Sequence, residues 1–144
     1  MVIGPFRDEY SFLSNFHPVD VTLDGRIYPT VEHAFQAAKT VDPKERMWVR
    51  VAPTPAGAKQ RGKKVHLRPD WEAAKVTVLE DLVRQKFLDP GLREQLLATG
   101  DEELVEVNTW RDRYWGMCRD KTGQLVGQNN LGRILMRVRD AARG

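Results

Sequence analysis

The sequence predicts an α+β fold made mainly of helices, with one small β-hairpin, in a single domain spanning residues 1–144. Its 144 residues are enough to bury one hydrophobic core. Several segments repeat apolar residues at helical spacing, and most of them begin with a capping residue or a proline. Residues 19–28 instead alternate apolar and polar side chains on both sides of Asp24 and Gly25, a pair typical of hairpin turns.

Three capping residues mark the helices that follow the hairpin. Thr30, Asp42 and Thr54 each carry a side-chain oxygen that can accept a free amide of a first helical turn. Proline follows Asp42 and Thr54, at the helical position that tolerates it best. The sequence therefore predicts helices from residue 31 to about 41, from residue 43 until Pro53 ends it, and from residue 55 toward Gly62.

The second half of the chain predicts three more helices and little strand. The longest runs from residue 69 or 70 to about 88, the next from 90 to 98 with Gly100 as its C-cap, and the last from about 131 to 142. Residues 104–107 are a candidate strand, and residues 120–123 are a candidate turn. No internal repeat, low-complexity segment or linker divides the chain, which favours one domain.

The composition is typical of a soluble globular protein. The chain is 41% hydrophobic and 30% charged, too apolar for a disordered segment. It has no apolar run long enough to cross a bilayer, and its N-terminus lacks the pattern of a signal peptide. Its single cysteine, Cys118, cannot form an internal disulfide. We therefore expect a cytoplasmic protein with no membrane partner.

The charge of the chain is unevenly distributed, although the net charge is only +3. A segment of one charge sign attracts anions such as phosphate esters or nucleic acid. From charge alone, an ordinary solvated basic loop explains such a segment better. The segment from residue 46 to 69 contains no acidic residue and these basic ones: Arg46, Arg50, Lys59, Arg61, Lys63, Lys64 and Arg68.

The predicted helix from residue 31 carries a polar stripe beside its apolar face. Glu32, Gln36 and Lys39 follow helical spacing and place an acid, an amide and an amine on one side. Glu32 and Lys39 are about 10 Å apart along the axis, too far for a simple ion pair but close enough to reach one ligand. Periodicity alone fits a solvated face and an active site equally well.

Two lysines fall on or beside the apolar face of the longest predicted helix. Lys75 and Lys86 either extend their ammonium groups to solvent or point them into a polar cavity. Extension to solvent is the commoner outcome and is expected for Lys75. For Lys86 the two outcomes are more evenly balanced, because the adjacent Phe87 is also expected to be buried.

Two loops before the last helix have the composition of a binding pocket. Residues 112–116 and 127–132 combine aromatic side chains with glycines and short polar residues, which allow close backbone approach. Alternatively, Asn129 or Asn130 only caps the last helix. A similar alternative applies to Asn15, beside Phe16, which fits a simple turn as well as a site.

Several familiar chemistries have no counterpart in the sequence. It contains no Walker-type or dinucleotide-binding glycine loop and no nucleophile-elbow serine. The three histidines lack the spacing of zinc ligands, and Cys118 has no obvious activating base beside it. We therefore expect a site without a metal ion or a cofactor.

These features occur together, and in the same order, in one known family. The chain resembles the NADAR (YbiA-like) superfamily over nearly its whole length, so the signal does not depend on any single short motif. The matching segments are FLSNF at 12–16, YPTVEHAFQAAK at 28–39, Gly62, 67–71, 86–87, 96–99, 104–106, Asp112, 114–116, 127–132, 135–136 and Arg139.

The resemblance implies an N-glycosidase with a mostly helical α+β domain. Its substrate would carry a heterocyclic or amino nitrogen on the anomeric carbon of a phosphorylated ribose. Two substrate types are associated with the family: ribosylamino-pyrimidine phosphates of riboflavin synthesis, and ADP-ribose attached to guanine bases of nucleic acid. The partner is therefore a substrate of the ribose 5-phosphate or ADP-ribose type, in the second case on ADP-ribosylated nucleic acid.

The resemblance also implies roles for the unusual residues. Glu32 would be the catalytic acid or base, with a pKa raised by burial. Lys39 would capture the opened sugar as a Schiff base, or else hold a phosphate or the Glu32 carboxylate. Asp112 and Asn129 would bind ribose hydroxyls, the tryptophans would stack, and Arg68 with Lys63 or Lys64 would bind phosphate. The full set of implied substrate-binding residues is Asn15, Phe16, Gln36, Lys63, Lys64, Arg68, Trp71, Asp112, Trp115, Gly116 and Asn129.

One segment departs from the family pattern. After Trp115 and Gly116 the family commonly continues with small, glycine-rich residues, whereas residues 117–119 here are Met, Cys and Arg. This departure leaves the choice of substrate open. Two other classes of function also remain: a non-catalytic ADP-ribose or nucleotide-binding module, and a nucleic-acid-binding protein that uses the basic segment.

Overall fold

The computed structural model describes residues 1–144 and has the predicted α+β architecture, dominated by helices. None of its helices combines the length and the apolar character needed to cross a membrane. A 3-10 helix covers Asp8–Leu13. The strands are β1 Val2–Ile3, β2 Pro18–Leu23, β3 Arg26–Thr30, β4 Glu103–Leu104, β5 Cys118–Arg119 and β6 Leu125–Val126; the helices are α1 Val31–Ala37, α2 Pro43–Arg50, α3 Pro55–Gly62, α4 Trp71–Lys86, α5 Pro90–Leu97 and α6 Asn130–Arg143.

The chain forms two compact units. Unit 1 combines residues 1–14 with residues 87–144, and unit 2 is the continuous segment 15–86. Each strand pairs with only one other, so the structure has three two-stranded sheets. Unit 2 contains the β2–β3 hairpin, whereas unit 1 contains the β1–β4 and β5–β6 pairs.

The hairpin of unit 2 confirms the turn predicted from Asp24 and Gly25. Both residues have positive φ angles, 47° and 80°, which is the backbone that a tight two-residue turn between twisted strands requires. Leu23 pairs with Arg26 and Val21 with Tyr28 in the antiparallel register. Val21 and Tyr28 are buried, so one face of the hairpin contributes to the core of unit 2.

Local signals set the start of each short helix in unit 2, as predicted. The side chains of Thr30, Asp42 and Thr54 accept hydrogen bonds from backbone amides two or three residues later. A proline occupies the first turn of both α2 and α3. Helices of seven or eight residues are marginal alone, so their stability depends on the packing of α1 against α2, α3 and α4.

The end of α1 differs from the prediction. The helix stops at Ala37 rather than near residue 41, and Lys39 lies in the turn that follows. In that turn the amide of Lys39 donates to the carbonyl of Gln36 (3.3 Å), and the Lys39 carbonyl accepts from the amide of Arg68 (2.7 Å). The helical partner of this carbonyl would be the amide of residue 43, which is proline and has no N–H, so residue 68 satisfies a carbonyl that the helix could not.

Helix α4 is shorter at its C-terminal end than expected, and its two lysines lie in different environments. The side chain of Lys75 is only 16% exposed, but its ammonium pairs with the exposed Glu72, one turn earlier. Lys86, in the last turn, is only 1% exposed. Lys75 therefore directs its ammonium to an exposed acid, and Lys86 takes the buried alternative.

Unit 1 is held together by pairing between its two chain segments. Strand β1 lies parallel to β4, with Ile3 opposite Leu104, and both side chains are buried. The predicted strand over residues 104–107 is shorter than expected, ending at Leu104, with an isolated bridge from Val107 to Met117. Neither β1 nor the β5–β6 pair was predicted, because two-residue strands have no recognisable alternation.

The helices of unit 1 agree closely with the sequence prediction. Asp89 caps α5, and Gly100, with φ of 63°, follows the end of that helix as expected. Helix α6 contributes a buried stripe whose apolar members are Leu131, Ile134, Leu135 and Val138. The predicted turn at residues 120–123 closes with a hydrogen bond from the Gly123 amide to the Asp120 carbonyl.

Candidate active site

Glu32 is a buried carboxylate in the first turn of α1. Its side chain is only 8% exposed, although the helix that carries it is short. The backbone amide of Glu32 donates to the carbonyl of Asn15 (3.1 Å), which fixes the start of the helix. The side-chain amide of Gln36 donates from Nε2 to Oε2 of Glu32 (3.0 Å). The carboxylate is therefore positioned by its own helix.

Burial raises the pKa of Glu32 above its ordinary value, because desolvation disfavours the charged carboxylate. Four groups oppose this shift: the hydrogen bond from Gln36, and the charges of Lys59, Lys39 and His33. Desolvation outweighs them. A carboxyl group with a raised pKa can hold a proton closer to neutral pH and give it to a substrate.

Gln36 is held by packing as well as by its bond to Glu32. The residue is 4% exposed, and its Oε1 atom has no hydrogen-bond partner. A Cβ atom on Gly62 of α3 would lie 2.0 Å from this oxygen. Only glycine at position 62 lets α3 approach α1 so closely, and this approach fixes the amide of Gln36 in its orientation toward Glu32.

Lys39 is a partly buried amine near Glu32. Desolvation lowers its pKa, and the charge of Glu32 opposes that shift. Repulsion from Lys59, Lys63 and Lys75 lowers the pKa further. These four residues (Lys39, Lys59, Lys63 and Lys75) are called the lysine cluster below. Their shared positive charge makes the neutral amine of Lys39 more accessible and favours an anion nearby.

The remaining basic residues expected at a phosphate site occupy different environments. Arg68 lies against the Lys39 turn through its backbone, but its guanidinium makes a two-point ion pair with Asp70, at 2.6 and 2.9 Å. Lys63 and Lys64 follow the end of α3 and are exposed. Of the three, Lys63 acts on the charge of Lys39. Arg68 therefore contributes a guanidinium already engaged by an acid.

Of the two aromatic candidates in unit 2, one is buried and the other is exposed. Trp71 is buried, with its ring 5.1 Å from that of Phe35 and tilted by 50°. It supports the helix that carries Glu32. Phe16 is 40% exposed, and the adjacent Asn15 uses its carbonyl for the amide of Glu32.

His33, between the polar residues of α1, has a structural role. Its Nε2 atom lies 2.9 Å from the carbonyl of Ala52, and its Nδ1 atom lies 2.7 Å from the hydroxyl of Thr30. A carbonyl can only accept, so Nε2 carries the proton and Nδ1 accepts from the hydroxyl. Both ring nitrogens are thus used to link α1 to its cap and to α2's end.

The candidates in unit 1 are joined in one pair of loops. One carboxylate oxygen of Asp112 accepts from the backbone amides of Tyr114 (3.0 Å) and Trp115 (2.9 Å). The carbonyl of Gly116 accepts from the amide of Asn129 (3.2 Å). A Cβ atom on Gly116 would lie 2.2 Å from the carbonyl oxygen of Glu106, so only glycine fits there. One carboxylate oxygen of Asp112 is therefore already bonded within its own loop.

Asn129 is buried, and its side-chain amide makes two hydrogen bonds within unit 1. Its Oδ1 accepts from the amide of Glu106 (3.0 Å), and its Nδ2 donates to the carbonyl of Leu104 (2.9 Å). It precedes α6 in a left-handed conformation with φ of 54° but makes no side-chain cap. Its amide thus joins the loop to the end of β4, which neither the capping nor the ribose-binding interpretation anticipated.

Lys59 and Lys75 were missing from the predicted site. Lys59 belongs to the acid-free segment noted in the sequence, and Lys75 to the lysines noted on α4. Both signals were visible, but only the packing of α1 against α3 and α4 relates them to Lys39.

Comparisons with known proteins agree in family and in fold. The sequence profile of the NADAR domain matches residues 4–143. N-glycosidase YbiA of Escherichia coli (strain K12) is 39% identical over 136 residues, covering 92% of this chain and 82% of that protein. The NMR structure of E. coli YbiA is similar with a TM-score of 0.81 and 36% identity, covering 99% of this chain and 84% of that chain.

A second relative has a different name and a greater length. A riboflavin biosynthesis protein of Vibrio vulnificus (strain YJ016) is 39% identical over 136 residues, and the alignment covers 92% of this chain. The chain spans only 36% of the length of that protein. An N-glycosidase of Nostoc punctiforme (strain ATCC 29133 / PCC 73102) is 39% identical over 140 residues, with 93% of this chain and 86% of that protein aligned.

Proposed function

The chain belongs to the NADAR family and is an N-glycosidase, and we propose that it hydrolyses the bond between a heterocyclic or amino nitrogen and C1 of a phosphorylated ribose. The observation that carries this proposal is the buried Glu32 beside the lysine cluster. It combines a carboxyl group of raised pKa with a concentration of positive charge. The first suits the breaking of a glycosidic bond, and the second suits the phosphate of the sugar.

Glu32 is proposed as the acid that protonates the leaving nitrogen. As the C1–N bond breaks, its electron pair goes to nitrogen, and the proton from Glu32 keeps the base neutral. Positive charge then develops on C1 and the ring oxygen of ribose. The carboxylate left on Glu32 is negative and stabilises that charge at short range. It can then take a proton from the attacking water, which restores the acid.

Lys39 is proposed as a nucleophile in the same site. Its lowered pKa supports a larger neutral fraction of the amine, and only the neutral amine can attack carbon. Nζ would add to C1 of the opened sugar and lose water to form an imine. Hydrolysis of that imine returns the water, releases the sugar and regenerates the amine. Both proposed groups can therefore act in repeated turnovers.

The substrate phosphate is proposed to lie near the lysine cluster. Lys59, Lys63 and Lys75 act electrostatically on Lys39, so an anion there is attracted by several charges at once. Arg68 is a weaker candidate for phosphate than the sequence indicated, because Asp70 already occupies its guanidinium. Gln36 is proposed to position Glu32, because its side-chain amide donates a hydrogen bond to that carboxylate.

Two substrates follow from this chemistry. A ribosylamino-pyrimidine phosphate is favoured because a relative is named a riboflavin biosynthesis protein. ADP-ribose on guanine of nucleic acid is the second candidate, and the acid-free basic segment of residues 46–69 favours it. Asn15 and Phe16 remain proposed contacts to the sugar or the base.

The test is to offer the purified protein both substrates side by side and to measure released base. We expect one substrate to lose its base faster by at least about tenfold, and Glu32→Gln to reduce that rate by about a hundredfold or more. Borohydride added during turnover should attach the sugar to Lys39.

A matched control separates chemistry from folding. Glu94→Gln makes the same change on the exposed surface of α5, where the carboxylate has no partner. It should leave the rate unchanged. Full activity in a folded Glu32→Gln protein would remove Glu32 from the mechanism, and release of base from neither substrate would refute the proposed substrate class.

A further inference from the structure

Unit 1 contains a concave feature that the proposed reaction does not use. It is a cavity of about 490 Å³, a size typical of small-molecule sites. Every lining residue belongs to unit 1, and none is Glu32 or a member of the lysine cluster. The cavity, called the arginine pocket below, is lined by Val107, Asn108, Thr109, Arg111, Arg113, Cys118, Arg119, Asp120 and Lys121.

The lining of the arginine pocket is strongly biased toward positive charge. Four of its nine lining residues are arginine or lysine, and one is acidic. Unit 1 as a whole has ten basic and eleven acidic residues, so the pocket concentrates a charge that its unit lacks. A concave surface of one sign focuses its field and raises the local concentration of counter-ions.

Most of these cationic side chains make no hydrogen bond or ion pair within the protein. The side chains of Arg111, Arg113 and Lys121 make no hydrogen bond and no ion pair, whereas Arg119 donates to the carbonyl of Gly123 (2.8 Å). The single acid, Asp120, does not form an ion pair with any of them. Its Oδ1 atom accepts from the hydroxyl and amide of Thr122 and from the amide of Gln124. The charge of Arg113 acts on Asp120 and helps to lower its pKa. The pocket therefore presents three cationic groups that have no hydrogen bond and no ion pair.

The loop that bears Arg111 is constrained. Arg111 has φ of 64°, in the left-handed region that non-glycine residues rarely adopt. The buried amide of Asn108 holds it there: Oδ1 accepts from the amide of Asp112 (3.0 Å), and Nδ2 donates to the Asp112 carbonyl (2.8 Å). Such backbone conformations persist where surrounding structure enforces them, and they occur often at ligand sites.

An exposed aromatic residue lies on the same loop. Trp110 stands between two lining residues, Thr109 and Arg111, and is 61% exposed. It is the only exposed aromatic side chain of unit 1. An exposed indole beside free guanidinium groups is suited to a ligand with a flat ring and a phosphate, because the ring stacks on the indole while the phosphate binds the cations.

We propose that the arginine pocket binds a nucleotide unit, with its phosphate on Arg111, Arg113 and Lys121 and its base stacked on Trp110. This goes beyond the proposed hydrolysis, since no residue assigned to that reaction lines the pocket. Two sources carry the same chemistry: a free nucleotide, and a nucleotide within a single strand of nucleic acid. The free cations and the adjacent indole fit both.

The test measures binding of three probes to the full chain by titration calorimetry: ADP, an eight-nucleotide single-stranded DNA, and inorganic phosphate. We expect ADP or the DNA to bind at least about tenfold more tightly than phosphate, because a base adds stacking energy. Trp110→Ala should weaken the nucleotide probe about tenfold. Arg111→Gln combined with Arg113→Gln should weaken it by more.

Matched variants keep the result interpretable. Arg7→Gln combined with Arg133→Gln removes the same charge from exposed side chains of unit 1 that have no side-chain partner, and it should change affinity less than about twofold. Lys121→Gln, in an exposed turn, tests the pocket again if the arginine variants are poorly folded. ADP binding identifies the free nucleotide as the source, and DNA binding without ADP binding identifies the strand. Equal losses in the pocket and control variants, or no binding of either nucleotide probe, would overturn the proposal.

Discussion

At the scale of single residues, the properties of Glu32 depend on groups that surround it. Its carboxylate is buried, and desolvation raises its pKa despite a hydrogen bond from Gln36 and the charges of Lys59 and Lys39. The same burial lowers the pKa of Lys39. The pKa values of the acid and the amine are thus shifted toward each other, a pattern that is frequent at catalytic sites. Gln36 is the one neighbour whose effect on Glu32 can be removed without changing a charge.

Replacing Gln36 by Met should move the pH profile of the reaction to higher pH. The hydrogen bond from Gln36 lowers the pKa of Glu32, so its loss raises that pKa further. The limb of the kcat/KM profile that reports the pKa of Glu32 moves to higher pH whether Glu32 acts as acid or as base. The plateau value should fall by less than about tenfold.

The measurement is kcat/KM from about pH 4 to pH 10 for both proteins. Gln85→Met, at a glutamine that instead bonds the hairpin strand through Thr22, provides a control for the loss of an amide. An unmoved limb in Gln36→Met, or an equal shift in the control, would show that Gln36 does not tune Glu32.

At the scale of elements, the site of unit 2 depends on how closely α3 approaches α1. Gly62 makes that approach possible, since a Cβ atom there would meet the side chain of Gln36 at 2.0 Å and its Cβ at 2.9 Å. The helices are short, and none is stable through propensity alone. A change at this contact therefore affects both the stability of unit 2 and the orientation of Glu32.

Gly62→Ala should lower the free energy of unfolding by about 1–3 kcal/mol and reduce activity, because the new methyl group displaces Gln36. Urea denaturation of the two proteins measures the loss. Combining it with Gln36→Ala removes the clashing amide, so the double variant should lose less than the sum of the single losses.

Gly57→Ala is the control within the same helix. A Cβ atom there would lie 3.2 Å from Oγ1 of Thr54, the cap of α3, which is a mild contact that the better helix propensity of alanine offsets. Its stability should change by less than about 1 kcal/mol. Strictly additive losses in the double variant would contradict the proposed contact between residues 36 and 62.

At the scale of the whole molecule, stability is coupled to pH through one buried lysine. Lys86 is 1% exposed, and burial lowers its pKa to about 7. Between that value and the ordinary lysine pKa, the unfolded chain binds a proton that the folded chain does not. The free energy of unfolding therefore increases as the pH rises across this range. Lys86 destabilises the fold most at and below about pH 7.

Lys86→Met should remove this dependence. At pH 7 the variant should be more stable than the parent by up to a few kcal/mol, and the difference should shrink as the pH rises toward 10. Thermal unfolding at pH 7, 8.5 and 10 measures this trend. Lys121→Met, at an exposed lysine, should show no such trend. A difference that stays constant with pH would mean that Lys86 keeps an ordinary pKa.

Much of the fold could be predicted because its signals are local. The turn at Asp24 and Gly25, the caps Thr30, Asp42 and Thr54, and the start and end of α5 need only neighbouring residues. The predictions failed where the partner is distant. The carbonyl of Lys39 after α1 bonds the amide of Arg68, and β1 pairs with β4 across about one hundred residues.

The same division applies to the candidate site. The sequence by itself determined the chemical groups: an acid, an amide and an amine near residue 32, a basic segment, and a match to one family. Only the tertiary structure decided their states, because burial and neighbouring charges set a pKa and a hydrogen-bond partner. It buried Glu32 and Lys86 and joined Asn129 to β4. The Arg68–Asp70 pair is local, two residues apart, whereas the bonds of Asn129 and the burial of the two charged groups depend on residues far away in the chain.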